Sequence, residues 1–230
     1  MVEQVRFALS EGVSREVISG GRTFDPENIF FMGHSQGGLN GPLFLAIDDH
    51  TRGGVLSGAG GHLPIALVDK VQPLNIPTIV ITLLRIRDTE LEHLVYEHPV
   101  YAALQTWTEV ADPTNYGHFL LHQPRPGFAP KHILQTEGIT DQYTPPRAIE
   151  ALALAARIPV LGEVLTPIDG ASVLGIDPQT RPASGNMPSG VTAGLLQFSG
   201  GHFVAFDDGP HATIDAFFHS LVRAGVPPIA

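Results

Sequence analysis

Short apolar runs alternate with amphipathic stretches along most of the chain, a pattern typical of an α/β protein. The clearest strand is residues 29–32, Ile-Phe-Phe-Met, a run with no polar position that ends at Gly33. Such a run is typical of a strand buried on both faces of a parallel sheet. Further strands are predicted at residues 55–57, 131–137 and 191–198.

Helical periodicity predicts helices between these strands. They are placed at about residues 2–18, 36–47 with an early interruption at Pro42, 98–110, 146–156 and 211–223. Residues 112–117 are predicted to form a turn, and the Gly- and Pro-rich stretch 160–190 a long irregular excursion. The apolar segment 63–94 fits strands and helices equally well. We expect one domain over residues 1–230 with a helical, cap-like insertion at about residues 63–128.

Composition excludes several classes of protein. The formal charge is −10, and Lys70 and Lys131 are the lysines of the chain, so no basic stripe is available for nucleic acid. There is no cysteine, hence no disulfide and no thiolate metal site. No signal peptide and no run long enough to span a membrane are visible, and the localisation stays undetermined. Charged residues make up 16% of the chain, below the usual fraction of about 25%, which suggests an additional interface.

The pentapeptide Gly33-His34-Ser35-Gln36-Gly37 fits G-x-S-x-G directly after the clearest strand. In a nucleophile elbow, this motif holds a serine hydroxyl above the sheet on a strained turn from strand to helix. Gly33 and Gly37 are expected to leave space around the turn, and Gly38 to let the helix pack on the strand. The alternative is a Gly-rich turn with a buried serine.

Two further loops that follow predicted strands carry the partners that a nucleophilic serine needs. Asp141 follows the strand at 131–137 and His202 follows the strand at 191–198, giving the chain order Ser, Asp, His. An imidazole would accept the serine proton, and a carboxylate would fix the imidazole tautomer. Other acids remain alternatives to Asp141: Asp169, Asp177, Asp207 and Asp208. His202 itself has the alternative of packing on Phe203.

Two other motifs are weaker. The turn 58–61, Gly-Ala-Gly-Gly, lacks the third glycine and the acidic partner of a dinucleotide site. His118 and His122 are spaced by four residues but lack the carboxylate of an H-E-x-x-H zinc site. We therefore expect neither a cofactor nor a metal.

The motifs Gly33-His-Ser-Gln-Gly-Gly38, Asp141 with Tyr-Thr-Pro-Pro at 143–146, and Gly201-His202 resemble the α/β-hydrolase esterases and lipases. The elbow and the stretch 98–116 are similar to the C-terminal catalytic part of larger bacterial lipases of the virulence-factor type. The resemblance implies a shortened α/β-hydrolase fold, with a mostly parallel sheet flanked by helices. It also implies ester hydrolysis through an acyl-serine, without cofactor, and the Gln36 N–H as an oxyanion donor.

The chain departs from that family before residue 28. Family members have a first half-sheet and a loop that supplies a second oxyanion donor, and neither is visible upstream of the elbow. The chain is thus expected to start in mid-fold, with the elbow strand as an apolar sheet edge. We expect a second copy to cover that edge, giving a homodimer.

The expected function is a serine carboxylesterase or lipase acting on small-molecule esters of short or medium acyl chains. Candidate substrate contacts are His34, Leu39, Tyr101, Trp107 and Tyr143, although core packing explains the aromatic residues of the middle third, Tyr96 among them, equally well. One alternative is a truncated, non-catalytic domain for assembly or binding. Another keeps the triad but acts on thioesters or amides.

Overall fold

The fold was analysed in a computed structural model that describes residue 25 and residues 27–86 and 98–230. The helix predicted at residues 2–18, Tyr96 and residues 87–94 of the unassigned segment lie outside the described residues.

Four parallel strands form the described sheet: β1 (Ile29–His34), β2 (Thr51–Ser57), β3 (His132–Gly138) and β4 (Ala193–Phe198). Their order across the sheet equals their order along the chain, so β1 and β4 are the edges of the described sheet. The parallel α/β fold that the sequence predicted is confirmed. Because all four strands run in the same direction, the loops after β1, β3 and β4 lie at the same end of the sheet, the carboxyl end of the strands.

The strands are connected and flanked by helices α1 (Gln36–Ile47), α2 (Pro64–Asp69), α3 (Ile76–Leu84), α4 (Pro99–Thr108), α5 (Thr114–Leu121), α6 (Pro146–Ala156) and α7 (Asp208–Ala224). Two short 3₁₀ turns, Glu109–Ala111 and Val204–Phe206, complete the described secondary structure. None of the helices in the described part of the chain is long and apolar enough to cross a bilayer.

Neighbouring residues of each strand point into two different cores, which is the consequence of the two-residue period of a strand. Leu56 of β2 and Ile133 of β3 pack against α1, α5 and α6. Their neighbours Val55 and Leu134 pack on the opposite face against α7. The sheet is thus covered by helices on both faces, and this burial explains why its strands are continuous apolar runs.

The segment between β2 and β3, within the predicted cap, contains helices and no strand in its described residues. The unassigned stretch from residue 63 to residue 86 forms α2 and α3. In contrast, α5 does not stand apart from the domain, because it packs between α1 and α6 and buries Leu120 and Leu121 in the core. The predicted cap therefore includes one helix of the main layer.

Three local predictions were wrong. Residues 112–117 are not a turn, because Asp112 accepts the Thr114 N–H and starts α5. Pro42 does not interrupt α1: it is buried inside one continuous helix, where packing on the sheet outweighs the one missing hydrogen bond. Strand β2 begins at Thr51 rather than residue 55, because Gly53, a residue with little strand preference, lies directly against the His132 backbone.

Candidate active site

Ser35 sits on a sharp turn between β1 and α1. Its backbone angles are φ 56° and ψ −121°, outside the regions that residues with a side chain normally adopt. A conformation of this kind costs on the order of 1–3 kcal/mol and persists only where the surroundings enforce it. Here the Ser35 N–H donates to the Ser57 carbonyl at 2.9 Å, while the hydroxyl makes no capping hydrogen bond to α1. The turn thus leaves the serine hydroxyl without a hydrogen bond to α1, at the end of the sheet where the strands finish.

The glycines of the motif differ in what they do. A Cβ on Gly33 would collide with the Gly37 carbonyl group, and one on Gly38 would lie 2.7 Å from the Ala59 Cβ. A Cβ on Gly37 would meet nothing within 4 Å. The expectation that Gly37 is needed to leave space was therefore wrong, because the first turn of α1 turns this position away from the sheet.

His202 and Asp141 form a buried pair in the two loops that follow β4 and β3. The His202 Nδ1 donates to Asp141 Oδ2 at 2.7 Å, and the two side chains are 2% and 0% exposed. Asp141 Oδ1 accepts the backbone N–H groups of Tyr143 at 2.7 Å and Thr144 at 2.9 Å. These bonds fix the carboxylate, and the proton on Nδ1 makes Nε2 the basic nitrogen of His202.

The backbone segment that holds Ser35 also lies beside the His202 and Asp141 pair. Gly58 follows the carbonyl that holds Ser35, and an added Cβ there would lie 3.1 Å from His202 Cε1 and 3.5 Å from Asp141 Oδ2. Within the described residues no hydrogen bond joins Ser35 to His202. Such bonds are commonly long in ligand-free enzymes and tighten when substrate binds.

His34 packs directly against His202, with ring centroids 4.5 Å apart. Its Nδ1 lies 2.9 Å from Ser57 Oγ, within hydrogen-bond distance. Burial, and then the nearby charge of His202, lower the pKa of His34. His34 is therefore a neutral imidazole at neutral pH, and it supports the His202 ring without adding a charge.

Aromatic side chains surround the rest of the His202 ring. Tyr143 stacks on it at 4.8 Å with an interplanar angle of 12°, and Phe203 approaches at 5.1 Å. Phe203 and Phe206 are each more than half exposed. An apolar rim therefore lies beside the imidazole, where it would exclude water from a bound substrate.

A cavity of about 70 Å³ opens beside Ser35. Its lining comes from α1, the loop after β2, α2 and the Asp141 loop with the start of α6: Ser35, Gln36, Leu39, Gly60, Gly61, Leu63, Ala66, Lys70, Tyr143, Thr144, Pro145 and Ala148. The glycines of the turn 58–61 that follow β2 have a packing role, since an added Cβ on Gly60 would lie 2.8 Å from the Ala148 Cβ.

The predicted substrate contacts fall into three groups. Leu39 and Tyr143 line this cavity, and His34 contacts His202 instead. Tyr101 is buried in α4, and Trp107 is 81% exposed, so neither borders the cavity. The helix predicted at residues 98–110 is present as α4, but the aromatic content of a segment does not determine which way its helix faces.

Sequence reasoning missed two residues near the site. One is Lys70, which lines the cavity. The other is Asp112, a fully buried carboxylate that accepts the N–H groups of His62 and Leu63 at 2.8 Å and the Thr114 hydroxyl at 2.7 Å. Although burial raises the pKa of Asp112, these hydrogen bonds outweigh it and lower the pKa. The pair Asp-Pro ahead of α5 is a helix-start signal that pointed to this role.

No group of three or more metal-ligating side chains is found among residues 27–86 and 98–230. His118 packs against Phe119, with ring centroids 3.9 Å apart and the ring planes tilted by 39°. The zinc spacing of His118 and His122 is therefore not matched by a third ligand in this part of the chain.

The sequence matches no protein-family model and no curated protein. Among solved structures it is similar to an acylaminoacyl peptidase in complex with Z-Gly-Gly-Phe-chloromethyl ketone, with 13% identity and a TM-score of 0.48 over 95% of this chain. It is also similar to acetyl xylan esterase 1 from Thermoanaerobacterium sp. JW/SL YS485, with 15% identity and a TM-score of 0.46 over 86% of this chain. A third similar structure is an esterase from Pyrococcus furiosus, with 11% identity and a TM-score of 0.43 over 95% of this chain. The chain spans 25%, 47% and 57% of the lengths of these three structures.

Proposed function

We propose that the protein is a serine hydrolase of the α/β-hydrolase type that cleaves small carboxylic esters through an acyl-serine intermediate. The observation that carries this proposal is the buried His202 and Asp141 pair, joined at 2.7 Å, beside a serine held on a strained turn at the end of β1. A buried, oriented imidazole next to a serine whose hydroxyl is uncommitted is the arrangement that serine nucleophiles need.

In the proposed reaction, His202 Nε2 removes the Ser35 hydroxyl proton while Oγ attacks the ester carbonyl carbon. The carbonyl electron pair moves onto oxygen, and the Gln36 N–H at the positive end of α1 faces that oxyanion. When the carbonyl re-forms, the bond to the alcohol oxygen breaks, and His202 returns its proton to the leaving alkoxide. Water then repeats the sequence on the acyl-serine and releases the acid. Asp141 stabilises the His202 cation that forms.

The cavity supports short acyl groups within the predicted range of short to medium chains. Its volume of about 70 Å³ is well below the roughly 300–1,000 Å³ of sites that enclose drug-sized ligands. A long acyl chain would have to extend out of the cavity. The predicted resemblance to larger virulence-factor-type lipases stays a prediction.

Covalent labelling tests the proposal directly. Incubation with a fluorophosphonate should add one phosphonyl group to the protein by intact mass, and peptide mapping should locate it on Ser35. Ser35→Ala should abolish labelling and His202→Ala should reduce it strongly, whereas Ser172→Ala in the excursion should label like the unchanged protein. A folded protein that takes up no label would contradict catalysis and would favour the non-catalytic assembly or binding domain.

Substrate class is tested by turnover. p-Nitrophenyl esters with acyl chains of two to twelve carbons should show a kcat/KM that falls beyond the shortest chains. Asp141→Asn should lower kcat by on the order of 10³- to 10⁴-fold, because asparagine would favour the wrong His202 tautomer. Faster turnover of an acyl thioester or an anilide than of the matched ester would instead support the thioesterase or amidase alternative.

A further inference from the structure

Lys70 places a positive charge at the cavity beside Ser35. It follows the last residue of α2, and its ammonium donates to the Tyr143 carbonyl at 2.7 Å. Of the described residues that border this cavity, Lys70 is the one that carries a full charge, and none is an aspartate or a glutamate. In a chain with only two lysines, this position is therefore distinctive.

The backbone around Lys70 is fixed on the loop that carries Asp141. The N–H groups of Val71 and Gln72 both donate to the Gln142 carbonyl, at 3.2 and 3.0 Å, and the Lys70 carbonyl accepts the Ile76 N–H at 3.0 Å. These bonds join α2 to the loop without the side chain of Lys70. The ammonium adds a further bond to this loop at the Tyr143 carbonyl. A carbonyl oxygen needs a donor but not a full charge, so the charge stays available to a ligand.

The described hydrogen bond of Lys70 uses one of the donors of its ammonium, and Lys70 lines the cavity. An ammonium has three N–H donors, and a single carbonyl oxygen accepts one of them without neutralising the charge. Asp141 is occupied elsewhere, since its two oxygens accept from His202, Tyr143 and Thr144. The complementary ligand group is therefore an anion small enough for a cavity of about 70 Å³.

We propose that Lys70 selects esters that carry a carboxylate on a short arm close to the scissile bond. The proposal rests on the serine hydrolase function given above and specifies its substrate class. Carboxylate and ammonium would form a charge-assisted hydrogen bond, shielded from water by Tyr143 and Leu39. Half-esters of short dicarboxylic acids carry such a group on the acyl side, and esters of hydroxy acids carry it on the alcohol side.

The test compares matched charged and neutral esters. On the acyl side, the p-nitrophenyl half-ester of succinate is compared with p-nitrophenyl butyrate. On the alcohol side, 4-acetoxybenzoate is compared with 4-acetoxybenzamide. In at least one pair, kcat/KM should favour the charged ester by about 10- to 100-fold, the worth of a hydrogen bond to a charged group. The preference should appear mainly in KM and should weaken as salt is raised.

Variants of Lys70 locate the cause. Lys70→Gln should reduce the charged-to-neutral ratio by about tenfold or more, Lys70→Glu should invert it, and Lys70→Arg should retain it. Fluorophosphonate labelling of Ser35 in each variant establishes that the site is intact.

A charge preference that is confined to one pair of esters identifies the side of the ester that reaches Lys70. Turnover with no charge preference in either pair, or a preference that Lys70→Gln leaves unchanged, overturns the proposal while the hydrolase function stands. Absence of labelling and of turnover of all four esters instead overturns the hydrolase function itself.

Discussion

Glu137 is a fully buried carboxyl group on β3, four residues before Asp141. Its Oε2 accepts from Gln197 Nε2 at 3.0 Å, while its Oε1 meets no donor among the described residues. Burial raises the pKa of Glu137 to about 7, and the neighbouring carboxylates of Glu150 and Asp141 add to the shift. The neutral form of Glu137 avoids a buried negative charge beside Glu150 and Asp141.

Replacing Glu137 by Gln should remove a dependence of stability on pH. Because the folded pKa of about 7 lies above the ordinary value of 4.5, the contribution of Glu137 to stability is fully present below pH 4.5 and is lost as pH rises through 7. Gln cannot ionise and still offers an acceptor to Gln197. The free energy of unfolding of Glu137→Gln should therefore exceed that of the unchanged protein by on the order of 2–3 kcal/mol at pH 8, and the two should differ little at pH 4.5.

Chemical unfolding at pH 4.5 and pH 8 measures this difference. The control is Glu163→Gln, which removes an exposed carboxylate in the excursion and should give the same difference at both pH values. Equal effects of Glu137→Gln at the two pH values would mean that folding does not raise the pKa of Glu137.

At the scale of elements, the position of Ser35 depends on how closely α1 lies against the sheet. Gly38 allows that approach, since an added Cβ would lie 2.7 Å from the Ala59 Cβ and 2.9 Å from the Ser57 carbonyl oxygen. The Ser57 carbonyl is also the acceptor that holds Ser35. A displacement of α1 therefore acts on Ser35, the proposed nucleophile, as well as on packing.

Two alanine substitutions one residue apart should have opposite effects. Gly38→Ala forces α1 away from β2 and should lower the free energy of unfolding by about 1–3 kcal/mol. It should also remove most of the fluorophosphonate labelling of Ser35. Gly37→Ala meets open space in the same helix and should add about 0.5–1 kcal/mol, because alanine has the higher helix propensity. Thermal melts should show the two shifts at about 2–4 °C per kcal/mol. Similar shifts of the same sign would contradict the close approach at Gly38.

At the scale of the whole molecule, β1 is one edge of the described sheet and pairs on one side with β2. Met32 at its centre is 43% exposed. Apolar edge strands tend to pair with further strands, and the low charged fraction of 16% leaves fewer charges to prevent it. The homodimer expected from the sequence therefore stays our proposal for this edge.

Light scattering at micromolar concentration checks that proposal. A dimer mass is expected, with dissociation on dilution, and Met32→Lys should shift the equilibrium toward the monomer because a charge next to the pairing edge opposes association. Val173→Lys is a matched control, since Val173 is 87% exposed in the excursion, and it should leave the mass unchanged. A monodisperse monomer of the unchanged protein would contradict the dimer.

The sequence by itself determined the parallel sheet and the elements whose patterns are local. Strand β3, helix α6 and the closing helix α7 were placed to within a few residues, because apolar runs and Pro or Gly boundaries act over short distances. It also predicted that Ser35, Asp141 and His202 follow strand ends. The loops that follow parallel strands all lie at one end of the sheet, so the parallel direction of the strands brings these three loops together.

The tertiary structure alone decided what depends on contacts distant in the sequence. Asp112 accepts the N–H of His62, fifty positions away in the chain, Glu137 interacts with Glu150 of α6, and the Lys70 ammonium donates to the Tyr143 carbonyl of the Asp141 loop. A single sequence does not encode such pairs as a period or a motif. For the same reason the aromatic content of the middle third predicted Tyr101 and Trp107 near the substrate, while packing placed Tyr101 in the protein interior and Trp107 in solvent. Local pattern fixes which elements form, and only packing fixes which of their side chains meet.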